Sequence, residues 1–164
     1  MITQEELIKI LSYDLITGIF TWIKPAGSRF KCGDKAGSLK NNGYMMIQIN
    51  GISYVSHRLA WFYVHGKWPD DQIDHINGIR DDNRICNLRE ATKSQNLVNR
   101  TIKTNRCLAR GVWRVSRKNI GDRYVARATV NGKRIHLGTF ENSTDAHTVY
   151  CNFMRNTFGE YFNL

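Results

Sequence analysis

Only two prolines interrupt these 164 residues, and the longest apolar stretches, such as Leu59 to Val64, fall far short of the roughly 20 residues a bilayer span needs. A transmembrane helix is excluded on that ground. The first residues, MITQEELIKI, carry acids where a secretory signal would carry a basic stretch leading into an apolar core, so the cytoplasm is the expected location. Cysteine is sparse too: Cys32, Cys86, Cys107 and Cys151 include no CxxC pair, which removes a short-spaced tetrahedral zinc site and leaves reduced, packed thiols as the reading. No apolar heptads are visible that would hold a coiled-coil dimer, and no obligate protein partner is evident. What is present is 41% hydrophobic residues, enough for a core without staples.

Acids are scarcest toward the C-terminus. Residues 1–99 hold 12 Lys/Arg against 10 Asp/Glu, whereas residues 100–164 hold 12 against 4, and within 100–134 there are 11 bases and the single acid Asp122. A basic stripe of that density suits a polyphosphate, because each cation placed on a phosphate releases condensed counterions. An anionic membrane would instead favour a basic amphipathic helix, and this region reads as strands.

Three segments follow along the chain. Ile2 to Ser56 starts with a helix over Glu5 to Leu11 and continues as strand-like runs at Ile19 to Ile23 and Tyr44 to Ile49, the latter flanked by the turn pairs Asn42-Gly43 and Asn50-Gly51. His57 to Asn99 holds an apolar run, an Asp/Asn/Gly-rich loop and a helix from about Thr92. TIKTNRCLAR, near residues 101–110, reads as a linker with a domain boundary near 108. Beyond it Tyr124, Ala126, Ala128 and Val130 alternate with Arg123, Val125, Arg127 and Thr129. Asn131-Gly132 makes a hairpin, and Ile135 and Leu137 continue the inner face while Arg134 and His136 continue the outer. Ser143 or Thr144 should cap a helix whose Ala146, Val149, Tyr150 and Phe153 cover the inner face. The outer basic face is left for a ligand.

The chemistry concentrates in IDHINGIRDDNRICNLREATKSQNLVNR, Ile73 to Arg100. Phosphodiester cleavage needs a base for water, a divalent cation at the phosphate, and cations to hold the strand. Neighbouring side chains diverge on a strand, so Asp74 can ligate a metal while His75 activates water. Oxygen ligands, Asp74 with Asn96 from the following helix, favour magnesium or another hard divalent cation such as manganese. The Asn87 amide can bond backbone groups across the loop and so hold His75 in place. Asn99 rivals Asn96. His57 reads as a satisfied half-buried histidine, Trp61, Phe62 and Trp68 as packing, and Asp81 and Asp82 as turn formers.

In this spacing, together with SHRLAWFYVHGKWP and SQNLVN, the chain resembles the phage and intron-encoded HNH homing endonucleases, with asparagine in place of the final histidine of the motif. The resemblance implies an α+β protein with a ββα-metal module in which His75 is the general base, Asn87 a support, and Asp74 and Asn96 the metal ligands. Arg80, Arg84 and Arg89 would contact phosphates. A second resemblance, over GVWRVSRKNIGDRYVARATVNGKRIHLGTF and the helix after it, is to APETALA2-type DNA-binding domains, a three-stranded antiparallel sheet backed by one helix. It implies DNA contacts from Trp113, Arg114, Arg117, Arg123, Arg127, Thr129, Arg134 and His136. The expectation is a metal-dependent endonuclease acting on double-stranded DNA, with a nuclease domain over 1–107 (motif core 57–99) and a DNA-binding domain over 108–164. A non-catalytic DNA-binding regulator with a degenerate nuclease fold is the rival reading.

Overall fold

The computed structural model describes residues 2–25, 29–99, 109–117 and 121–163, and the chain divides into two compact units, 1–92 and 93–164. The expected linker and boundary near 108 lie outside the described residues, as does Cys107. Both units mix helix with antiparallel strands, and no helix among the described residues is long and apolar enough to cross a membrane.

The first unit opens with helix α1 (Gln4–Ile10), which starts on a reciprocal cap: the Thr3 hydroxyl accepts from the Glu6 amide and the Glu6 carboxylate accepts from the Thr3 amide. Leu11 leaves the helix to begin strand β1 (Leu11–Tyr13), which pairs with β2 (Phe20–Trp22). A second sheet has β4 (Met45–Ile49) between β3 (Ser38–Leu39) and β5 (Ile52–Val55). Asn50 and Gly51, at φ +50° and +80°, close its two-residue hairpin, as an Asn-Gly pair allows at little cost. Helix α2 (Ser56–His65) presents Leu59, Ala60 and Phe62 to a core shared with Leu7, Leu11, Phe20 and Ile47. Phe62 stacks on Trp68, whose other neighbour is Tyr54, so the tryptophan and phenylalanine are packing residues.

Gly18 ties the β1–β2 turn to the loop at Asn83 and Arg84. Its φ is +71°, and a Cβ there would lie 2.4 Å from the Arg84 amide nitrogen and 2.5 Å from the Asn83 carbonyl carbon. Backbone cannot swing aside as a side chain can. Gly18→Ala is therefore expected to cost about 2 kcal/mol from backbone strain and overpacking, measured as a lowered urea midpoint of unfolding. An unchanged midpoint would contradict the close approach.

The second unit begins with helix α3 (Lys93–Asn99) and continues as a three-stranded antiparallel sheet in the order β10 (Lys133–Phe140), β9 (Gly121–Val130), β8 (Val112–Arg117), with helix α4 (Ser143–Phe158) packed on it. Asn131-Gly132 forms the β9–β10 turn with φ +50° and +77°. The cap of α4 is Asn142, one residue earlier than expected; its Oδ1 accepts from the Asp145 amide at 2.8 Å. Ala126, Ala128, Ala146, Tyr150, Cys151 and Met154 form this unit's core. Of the cysteines expected to be packed, only Cys151 is buried among the described residues; Cys32 and Cys86 are exposed and free.

Candidate functional site

Strands β6 (Gln72–His75) and β7 (Leu88–Ala91) pair antiparallel, setting Asp74 opposite Arg89 and His75 opposite Leu88. The approach to β6 is fixed from α2 and β7. Arg58 donates to the Asp71 carbonyl at 2.8 Å and to the Pro69 carbonyl at 3.2 Å, and the Glu90 carboxylate accepts from the Asp70 amide at 3.0 Å. Gln72 is half-buried and Ile73, Asp74 and His75 are all buried, so the reactive pair is delivered on a strand that cannot slip without exposing Ile73.

The loop from 76 to 87 is pinned by amides. Asn87 lies in a 3-10 turn (Ile85–Asn87), buried; its Oδ1 accepts from the Asn77 amide at 3.0 Å, and its Nδ2 donates to the Asn77 side-chain oxygen at 3.0 Å and the Asp82 carbonyl at 2.8 Å. One side chain thus joins both limbs of the loop, and the Asn87 carbonyl also accepts from the Ile76 amide directly after His75. Asp82 braces the same turn by accepting from Asn77 Nδ2 at 2.7 Å and from Arg84 Nε and Nη2 at 2.7 and 2.6 Å. The Arg84 hydrogen bond holds the Asp82 carboxyl down at about 2.

His75 is 5% exposed, and burial pushes its imidazole below the ordinary value, against the opposing pull of Asn83 and Asp74. Its Nε2 lies 3.2 Å from Asn83 Oδ1. The Asn83 amide is oriented by its Nδ2, which donates to the Asp81 carbonyl, and an amide oxygen can only accept. Nε2 therefore carries the hydrogen, and Nδ1 keeps the lone pair. Asn83 is 2% exposed, and its backbone carbonyl accepts from the Tyr13 hydroxyl at 2.6 Å, which anchors it to β1. Sequence reasoning missed Asn83. Its only signal was a third polar residue after Asp81-Asp82, which looks like ordinary turn composition.

His57, expected to be a satisfied histidine outside the site, is buried against His75 with ring centroids 5.0 Å apart and planes at 89°. Among the described residues its Nδ1 has no hydrogen-bond partner, and burial pushes its pKa down to about 3, with the proximity of His75 adding to the shift. Tyr44 completes the enclosure, 5.3 Å from the His57 ring and 6.1 Å from that of His75.

The other expected members divide by placement. Asp74 is 4% exposed; its Oδ2 accepts from Arg89 Nε at 2.9 Å and lies 2.9 Å from Arg89 Nη2 as an ion pair. Arg89 is thus directed at Asp74, and Arg84 at Asp82. Arg80 is exposed, donates to the Asn42 carbonyl at 2.6 Å and lies over the Tyr44 ring at 5.2 Å, which leaves it at the mouth of the site. Asn96 and its rival Asn99 lie on α3 in the second unit, Asn96 half-buried and Asn99 buried.

No group of three or more His, Cys, Asp or Glu side chains able to hold a metal comes together among the described residues. A hard cation does not need one. Magnesium keeps several waters and takes one or two carboxylates together with substrate phosphate oxygens. Asp74 beside His75 fits that donor set, and nothing at the site resembles the thiolate or imidazole cluster of a structural zinc.

On the sheet of the second unit, register puts Trp113, Arg123, Arg127, Thr129, Arg134 and His136 on the face away from α4. Trp113 is 37% exposed and Arg127 lies 5.9 Å from its ring centroid. Arg114 pairs with Tyr124, so its position in the register is on the other side of the sheet from Trp113, and its exposed side chain forms an ion pair with Asp122 at 2.5 Å. The side chain of Arg117 lies outside the described part of the structure.

Residues 54–98 match the HNH endonuclease family. The chain is also 30% identical, over 124 residues, to a protein of Acanthamoeba polyphaga mimivirus named "Uncharacterized HNH endonuclease L560". The aligned region is 75% of this chain and 63% of that protein, so the chain spans just under two thirds of its relative's length. No solved structure matches. The match to the HNH endonuclease family covers the segment that contains Asp74, His75, Asn83 and Asn87.

Proposed function

We propose that this protein hydrolyses phosphodiester bonds in double-stranded DNA, with His75 as general base. The observation that carries the reading is a buried imidazole, fixed through Nε2 by Asn83 and set next to Asp74 on a hairpin inside an HNH domain. A base for water must be neutral near pH 7, aimed, and held. Burial supplies the first, Asn83 the second, and the Asn87-stapled loop the third. Asp74 would hold a hard divalent cation, magnesium or manganese, which when bound polarises the phosphate and stabilises the leaving oxygen. His75 Nδ1 takes the proton of the attacking water, and Arg80 is placed to meet a neighbouring phosphate.

The module is read as a ββα-metal fold, with β6 and β7 supplying the hairpin. The exposed sheet face carrying Trp113, Arg123, Arg127, Thr129, Arg134 and His136 supports a DNA-positioning role of the kind its resemblance to APETALA2-type domains implies, and its cations face outward from a sheet backed by α4. A phage-borne or homing enzyme working in a host cytoplasm fits this division of labour. Incubating a 5′-labelled DNA duplex with the purified protein and magnesium is expected to give discrete shorter products, abolished by chelator. Binding of duplex without any cleavage, in magnesium or manganese, would overturn this reading in favour of a non-catalytic regulator.

A further inference from the structure

The hydrogen bond to Asn83 holds one nitrogen of the His75 ring, and the plane of the ring also depends on what packs against it. That plane matters, because a general base contributes fully only when its lone pair points at the water. Two aromatic neighbours of the ring are His57 and Tyr44. His57 meets the His75 ring nearly perpendicular, at 89° and 5.0 Å, and Tyr44 touches both rings. His57 sits in the first turn of α2, two residues before fully buried Leu59, so it stands on a packed helix and not on a loop.

We propose that His57 is a positioning residue for His75, its ring packed edge-to-face so that the base presents Nδ1 to the water. The contact requires a neutral ring, since a second positive charge beside the base would oppose proton acceptance, and a buried imidazole at 9% exposure is neutral at working pH. Nδ1 of His57 has no hydrogen-bond partner among the described residues, while its ring packs against those of His75 and Tyr44. This inference rests on the nuclease reading.

The test compares His57→Ala and His57→Phe in single-turnover and steady-state nicking of plasmid DNA, well below the melting temperature of each variant. His57→Ala is expected to lower kcat roughly 10- to 100-fold with KM within about twofold of wild type, as a misaimed catalytic group would. His57→Phe, which keeps the ring, restores most of the lost rate and melts no lower than wild type. Unchanged kcat in His57→Ala, or His57→Phe as slow as His57→Ala, overturns the positioning role. Absence of nicking by the wild-type protein overturns the nuclease reading instead, so the two failures are distinguishable.

Discussion

Replacing His75 by alanine is expected to reduce the single-turnover rate of DNA cleavage by about 10³-fold, within the range that a well-placed general base contributes, while duplex binding changes little. The argument is geometric. His75 is the imidazole on the hairpin, oriented through Nε2 by Asn83, and neither Arg89 nor Arg84 can act as a base at neutral pH. Since the ring is 5% exposed and packed against His57, alanine also leaves a cavity, so folding must be followed by circular dichroism beside activity. His75→Gln, which keeps a polar side chain of similar reach but accepts no proton, should be equally slow. A His75→Gln protein that cleaves at the wild-type rate would remove the imidazole from the chemistry.

The second large effect is on stability. Asp74 and Arg89 face each other across β6 and β7 with side-chain exposures of 4% and 12%. Both guanidinium contacts fall on Asp74 Oδ2, a geometry that holds the carboxylate as well as neutralising it. Removing one member of a buried pair costs about 3–5 kcal/mol because the other charge loses its compensation. Asp74→Ala should therefore destabilise the first unit by that amount, read from urea unfolding, whereas Asp74→Asn keeps an acceptor and should cost less. Asp74→Ala combined with Arg89→Met should recover part of the loss. If Asp74→Ala left stability untouched, the ion pair would have no structural role and Asp74 would serve the cation alone. The pairing also explains why Arg89 is a poor candidate for a phosphate contact: its charge is directed inward.

Local patterns were legible where chain chemistry alone decides the outcome. The Asn50-Gly51 and Asn131-Gly132 pairs announced their hairpins because few residues other than glycine and asparagine accept a positive φ. The alternation of Arg123 to Val130 placed the two faces of β9 correctly, Val125 included, although Val125 is only 6% exposed on the outer side between Trp113 and Thr139. Strict alternation failed at β10. A register shift between His136 and Gly138 lets Leu137 and Phe140, three residues apart, both pack on the same core. Trp113 and Arg114 are adjacent on β8 and face opposite sides, and only the pairing partners, Val125 and Tyr124, fix which one faces outward.

At the site, Asp74, His75 and Asn87 stood out because acids, amides and a histidine were packed more densely than a turn requires. Asn83, Tyr13 and His57 did not. Each acts through a contact that joins distant parts of the chain, Tyr13 to Asn83 across 70 residues and His57 to His75 from helix to strand, and no local window carries such a pairing. A buried histidine at the start of an apolar run looks the same in sequence whether its ring meets leucine or a catalytic base.

The central claim is that a buried, neutral His75 drives metal-dependent cleavage, and a pH profile of single-turnover plasmid nicking in magnesium tests it most directly. The base must be unprotonated to act. Its pKa is lowered by burial from the ordinary 6.5, so the rate should persist below that pH and be lost only as pH falls through the depressed value. The account predicts magnesium-dependent nicking, flat above neutrality, with an acid limb whose midpoint lies below 6.5 and which disappears with His75→Gln. Nicking that is absent in magnesium, or an acid limb centred above 6.5, would contradict it.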